Sequence, residues 1–167
     1  ERLLFEGANI LVQVIKDAIG TKGARLSTQI SIAGRMLVYL PHECHIGISQ
    51  RIEDNAERES LREKLQHVLP PEDKGGYIIR TMAEAASESD LRADIEYLHK
   101  LWHDIQNKSL SASPPALLYQ DLDLSHRVLR DFVDETITGI VVDSRETHQK
   151  LTAFAQNYMS NVTDKID

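Results

Sequence analysis

The sequence predicts an α+β fold, on three observations. Short β-branched runs crowd the first half of the chain: Ile10 to Ile15, Leu26 to Ile32, Met36 to Leu40, Ile46 to Ser49 and Tyr77 to Ile79. Long amphipathic stripes, with apolar residues three and four apart, fill most of the remainder. Proline and glycine clusters such as Pro70-Pro71 and Gly75-Gly76 separate the two kinds of segment.

The elements follow in order. Ile10 to Ile15 has Gln13 as its only polar member and reads as a strand. Gly20-Thr21-Lys22-Gly23 is a turn. Leu26, Thr28, Ile30 and Ile32 alternate with polar neighbours, the pattern of a half-buried strand. Met36 to Leu40 is a strand stopped by Pro41, and Ile46 to Ser49 is a short one. Together these strands suggest an antiparallel sheet or a barrel rim. Asp54 is a helix N-cap with Glu57 as its capping-box partner. Leu61, Leu65 and Val68 or Leu69 form that helix's stripe, which ends at Pro70-Pro71. The charge run from Glu53 to Lys64 is its solvated face. Tyr77 to Ile79 is the next strand.

Ser87 caps the clearest helix, with Asp90 in the reciprocal position. Its stripe is Leu91, Ile95, Leu98, Trp102 and Ile105, with Trp102 as anchor. Lys108 to Pro115 is the best linker candidate. Leu122, Leu124, Val128, Leu129, Phe132 and Val133 make an amphipathic helix. Gly139 to Asp143 reads as a short apolar strand of the buried kind. Ser144 caps the last helix, whose stripe is Leu151, Phe154, Ala155 and Tyr158.

Bulk properties limit the function. At 167 residues the chain is one domain, or one and part of another, with room for a core. A formal net charge of -7 argues against non-specific coating of nucleic acid and leaves local basic pockets open. The single cysteine, Cys44, excludes an internal disulfide framework and a cysteine-cluster zinc site, and fits a reducing cytoplasm. No stretch is long and apolar enough to span a membrane, and no secretory signal opens the sequence. The chain starts at Glu1 without Met, as expected of a piece of a longer protein.

The most informative segment is Gly75-Gly-Tyr-Ile-Ile-Arg-Thr81. A glycine pair opens an apolar run that delivers Arg80 and Thr81 side by side. Arginine offers a planar fork of donors and threonine a short, stiff one, a combination suited to an oxyanion. Taken alone, such a segment is more often a strand ending on a wet edge. His99 and His103 lie four apart on one helix face, a metal-compatible spacing without an obvious third ligand. Asp143 ends a strand where nucleases place metal-binding carboxylates, and equally begins a helix cap. Arg127 and Arg130 pair with carboxylates or meet RNA backbone, and the sequence does not choose. No nucleophile elbow or Walker loop is present.

Several words together carry a resemblance. They are Gly20-Thr-Lys-Gly-Ala-Arg-Leu-Ser-Thr28, Ile32-Ala-Gly-Arg-Met-Leu-Val-Tyr-Leu-Pro41 and His45-Ile-Gly-Ile-Ser-Gln-Arg-Ile-Glu53. The Gly75 to Thr81 segment, the Ala83 to Leu101 helix with Trp102, Leu124 to Phe132 and Ile140-Val-Val-Asp-Ser144 continue the series. The chain resembles the central part of the bacterial ribonuclease E/G endoribonucleases, nearer the ribonuclease G branch.

That resemblance implies an organisation and a role. Residues 1–28 would be the last strands of an OB-fold RNA-binding barrel, 29–115 a mixed α/β 5′-sensor region, and 116–167 part of an RNase H-like subdomain. Family members cut single-stranded RNA and sense a 5′-monophosphate. Carried over residue by residue, Arg80 and Thr81 match the phosphate-gripping pair, and Gly34 and Val38 the positions that shape the pocket. Lys16 and Lys22 match basic RNA-backbone positions of the barrel. The family's hydrolytic site lies in a later subdomain where aspartates hold magnesium, followed by a cysteine-pair motif for an inter-subunit zinc. Neither is in this sequence, so the resemblance implies no catalytic or metal-binding residue in this segment. It implies a cytoplasmic, homo-oligomeric parent enzyme without a membrane partner. Two other readings stay open: a self-sufficient hydrolase using Asp143, and a structural or assembly module.

Overall fold

The computed structural model describes residues 5–134 and 136–167. It is a mixed α/β structure, and its described residues close no barrel. β1 (Gln13–Lys16) and β2 (Arg25–Ser27) pair antiparallel as a separate hairpin. β3 (Ile32–Ala33), β4 (Leu37–Leu40), β5 (Ile46–Ile48) and β6 (Gly76–Ile79) form one sheet in the order β3-β4-β6-β5. The sheet is mixed, not the antiparallel sheet or barrel rim expected. β5 and β6 pair parallel because a helical crossover joins them, while the other pairs are antiparallel. Gln13 ties the hairpin to the sheet: its side chain donates to the Ser31 carbonyl (3.0 Å) and accepts from the Ser31 N–H (2.8 Å).

Register separates the two faces of this sheet, because residues directly opposite one another point the same way. The row Ile32, Tyr39, Tyr77, Ile46 lies on one face, with Leu37, Ile79 and Ile48 beside it. Helices α1 (Asn55–Val68) and α2 (Glu88–Ser111) share one core with this face. The row Ala33, Val38, Ile78, Gly47 lies on the other face and stays partly open to solvent.

Local chemistry starts three of the four helices at the caps read from the sequence. The third starts later than expected because Asp123 takes the cap, with Leu122 outside it and Leu124, Val128 and Phe132 of its expected stripe exposed. Asp54 accepts from the Glu57 N–H (2.7 Å) and begins α1. Ser87 and Asp90 form a full capping box and begin α2. Leu91, Ile95, Leu98, Trp102 and Ile105 are all buried along α2. Asp123 accepts from the His126 N–H (2.9 Å) and begins α3 (Leu124–Phe132). Ser144 caps α4 (Arg145–Tyr158). A second core gathers Leu129, Val133, Leu151, Ala155, Val162 and Ile166. It is joined to α2 by Tyr97, Phe154 and Tyr158 in edge contact, and by the Tyr158 hydroxyl donating to Asp104 (2.6 Å).

Four further expectations are corrected. The strand expected over Leu26 to Ile32 breaks in two: β2 ends at Ser27, and Ile30 turns into the main core while Leu26 stays exposed. Two different pairing partners, β1 and β4, pull its halves apart. The first strand runs from Gln13, and its Val14 and Ile15 are exposed. The expected linker begins later, because α2 continues through Ser111 with Ser109 and Ser111 bonding back to helix carbonyls. Gly139 to Asp143 is not a buried strand. It pairs on one side only, Ile140 with Ile166, and Val141 is 88% exposed.

α2 is therefore the element that lines the main core and joins it to the second. Leu98→Ala, at a fully buried position, is expected to cost about 2–5 kcal/mol in urea denaturation. Leu110→Ala, on the exposed end of the same helix, is expected to stay within about 0.5 kcal/mol of the parent. Equal costs at the two positions would contradict the packing described.

Candidate functional site

The open row of the sheet ends at a tight turn. β3 and β4 are joined by Gly34-Arg35-Met36, closed by the Gly34 N–H donating to the Leu37 carbonyl (2.8 Å). β6 leaves the sheet beside this turn, with the Arg80 N–H donating to the Met36 carbonyl (2.9 Å). Alternation carries the Arg80 side chain onto the face of Ile78 and Val38. There its Nη1 donates to the carbonyls of Gly34 and Arg35 (3.1 Å to the latter). Thr81 follows at once and opens a short 3₁₀ turn, Thr81–Ala83.

Four of the residues singled out from sequence thus meet in one place. Gly34 is in the turn, Arg80 bonds it, Thr81 adjoins Arg80, and Val38 sits in the open row beside Ile78. Lys16 and Lys22 lie elsewhere, on the exposed β1–β2 hairpin, where Arg25 stands directly opposite Lys16. The hairpin therefore carries a small basic surface in an acidic chain.

A buried aspartate holds the turn. Asp94, on α2, is 7% exposed. Its carboxylate accepts from the N–H groups of Arg35 (2.9 Å), Met36 (2.9 Å) and Leu37 (2.8 Å). Burial drives the Asp94 carboxyl upward from the ordinary range, while those three bonds and the Arg130 charge pull it down. Gly34 must lack a side chain, because a Cβ there would lie 2.5 Å from Asp94 Oδ1. Arg130, on α3, donates from Nη1 to the Ala33 carbonyl (2.8 Å) and grips Asp131 through Nε (2.7 Å) and Nη2 (3.1 Å). Arg35 reaches back to the Val133 carbonyl (3.5 Å) at the end of α3.

The sequence reading missed Asp94, although a signal was present. Asp94 lies three residues after Leu91 and four before Leu98, inside the apolar stripe of α2. A charge in such a stripe needs hydrogen-bond partners.

The other candidates resolve differently. His99 does not wait for a metal: its Nε2 lies 2.9 Å from Asp73 Oδ2 and 2.7 Å from the Tyr77 hydroxyl. Tyr77 also donates to Asp73 (2.5 Å), and burial followed by that bond drives its phenol upward. His103 and Asp143 are exposed. Among the described residues, no group of three or more His, Cys, Asp or Glu is placed to hold a metal ion. No helix there is long and apolar enough to cross a membrane.

The sequence pattern of the Ribonuclease E/G family matches residues 31–167, a span that holds the turn, Arg80, Asp94 and Arg130. The chain belongs to the Ribonuclease E/G family. Ribonuclease G of Escherichia coli (strain K12) is 41% identical over 165 residues, covering 99% of this chain and 33% of that protein. Ribonuclease G of Haemophilus influenzae is 38% identical over 164 residues, 98% of this chain and 33% of that protein. Ribonuclease E of Nostoc sp. (strain PCC 7120) is 37% identical over 161 residues, 96% of this chain and 23% of that protein. The chain thus spans about a third of the length of the Ribonuclease G relatives it matches. The ribonuclease G and E relatives both align across the turn and the sheet, so the site belongs to a segment matched in both branches.

Gly34→Ala is expected to destabilise the fold by about 1–3 kcal/mol, because the Asp94 carboxylate must move. Gly23→Ala, with nothing within 4 Å of the new Cβ, is expected to stay within about 0.5 kcal/mol. Thermal unfolding of the two variants compares them directly, and a Gly34→Ala melting curve that overlays the parent would contradict the clamp.

Proposed function

We propose that this chain is the RNA-binding, 5′-monophosphate-sensing segment of a single-strand-specific endoribonuclease. Such an enzyme works in RNA processing and decay, such as rRNA maturation and mRNA turnover. The observation that carries this reading is the state of Arg80. Its Nη1 is held by two turn carbonyls, and it pairs with no carboxylate among the described residues. That leaves the Nε–Nη2 edge, the fork that binds a phosphate bidentately. Thr81 follows Arg80 directly and supplies the second donor in this reading. Val38 and Ile78 offer an apolar floor for the terminal nucleotide on the open sheet face.

The rest of the molecule has parts in this reading. Lys16 and Lys22 contact the RNA backbone from the β1–β2 hairpin, which is assigned to the end of an OB-fold barrel. Residues 29–115 are the 5′-sensor, and residues 116–167 belong to an RNase H-like subdomain. An acidic chain repels RNA elsewhere, so recognition of an end group is the economical solution. The described residues do not fit a magnesium site, because no cluster of three candidate ligands exists among them. On the family resemblance, hydrolysis, magnesium and zinc belong to the parent enzyme outside this segment, and the parent is a cytoplasmic homo-oligomer. A second reading, an assembly module that binds no RNA, is favoured by one observation: Phe132 and Val141 are exposed apolar residues.

Arg80→Ala is expected to weaken binding of 5′-monophosphorylated RNA by about ten- to a hundredfold, the loss of one charge-assisted contact of roughly 1.5–3 kcal/mol. Binding of the same RNA with a 5′-hydroxyl is expected to change little. Fluorescence anisotropy at low salt measures both, and an unchanged preference in Arg80→Ala would falsify the assignment. Lys16→Ala with Lys22→Ala is expected to weaken both RNAs alike and to reduce the salt slope of binding by about one to two. A loss confined to the phosphorylated RNA would contradict the backbone role.

A further inference from the structure

We infer that Asp94 and Arg130 are positioning residues of the 5′-end site, locking the 33–37 turn so that its Gly34 and Arg35 carbonyls orient the Arg80 guanidinium. This rests on the end-site reading given above. Neither residue touches RNA in it.

The turn's backbone polar groups are paired almost throughout. The N–H groups of Arg35, Met36 and Leu37 all go to Asp94. The Gly34 N–H goes to the Leu37 carbonyl, and the Met36 carbonyl to the Arg80 N–H. The Ala33 carbonyl goes to Arg130. The carbonyls of Gly34 and Arg35 remain, and both accept from Arg80 Nη1. Each N–H from Gly34 to Leu37 and each carbonyl from Ala33 to Leu37 has a partner, so the turn has one way to present the Gly34 and Arg35 carbonyls and Arg80 one seat. Holding a donor fork in its bound geometry raises affinity by reducing what must be ordered on binding.

Two features separate this from mere core packing. Among the described residues, Asp94 and Arg130 are the most buried charged residues, each 7% exposed, and both end on this turn. Arg130 also belongs to α3, in the second core, so the site is held from two cores at once. The carboxylate supplies acceptors for three donors. Asparagine has the same shape but one acceptor oxygen, and its NH2 would face a backbone N–H.

The test uses the full-length protein and one single-stranded RNA oligonucleotide carrying either a 5′-monophosphate or a 5′-hydroxyl. Both affinities are measured for the parent, Asp94→Asn, Arg130→Gln and Arg130→Lys, with circular dichroism and thermal melting to confirm folding. Asp94→Asn is expected to lower the phosphate-over-hydroxyl ratio by about tenfold, with hydroxyl-ended RNA bound within about twofold of the parent. Arg130→Gln is expected to lower the ratio as well. Arg130→Lys keeps a donor for the Ala33 carbonyl and is expected to retain most of it. A folded Asp94→Asn with the parent's ratio overturns the inference. Should Asp94→Asn not fold, an unchanged ratio in Arg130→Gln overturns it instead, and a lowered one supports it. If the parent itself binds both RNAs equally, the end-site reading fails and this inference falls with it. A parent preference that survives in the variants removes the positioning role alone.

Discussion

One buried carboxylate, that of Asp94, sets the geometry of the β3–β4 turn. Asp94 spends its acceptors on three consecutive backbone N–H groups of the β3–β4 turn. An unpartnered charge in that position would be severely unfavourable, because burial penalises the ionised form. The turn must therefore dock on α2 wherever α2 packs on the sheet. Gly34 has no Cβ for the same reason. The position of Arg80 follows, since the carbonyls that seat it belong to the clamped turn.

The sheet's two faces divide the labour. Leu37, Tyr39, Tyr77 and Ile79 bury one face against α1 and α2. Burial there supplies most of the driving force for folding. The opposite row, Ala33, Val38, Ile78 and Gly47, is small and apolar, and no helix of the main core covers it. Because strands alternate, the residue after Ile79 returns to this open face, and that residue is an arginine. Arg80 thus stands at the end of an interior strand, on the open face of a sheet whose other side is a dry core, which is where the proposed end-group site lies.

Much of the fold was legible in the sequence where the signal was local. Asp54, Ser87 with Asp90, and Ser144 mark helix starts because an N-cap satisfies N–H groups within three residues of itself. The conjunction of Gly34, Val38, Arg80 and Thr81 was legible only as family words, since 46 residues separate Gly34 from Arg80. Pairing partners decide what periodicity leaves open. Leu26 to Ile32 alternates cleanly, yet β1 takes one end and β4 the other. Gly139 to Asp143 has the composition of a buried strand, yet pairs on one side only. Asp94 was legible in principle, as a charge inside the α2 stripe, but its partners lie nearly 60 residues away in a turn of ordinary composition.

The most direct measurement is residue-resolved hydrogen exchange of the Arg35, Met36 and Leu37 amides. A clamped turn predicts that all three exchange as slowly as Tyr39 and Ile79 in the sheet interior, although they lie in a connection between strands. Exchange at the rate of an open loop, with Tyr39 and Ile79 still protected, would contradict the claim that Asp94 holds the turn and, through it, Arg80.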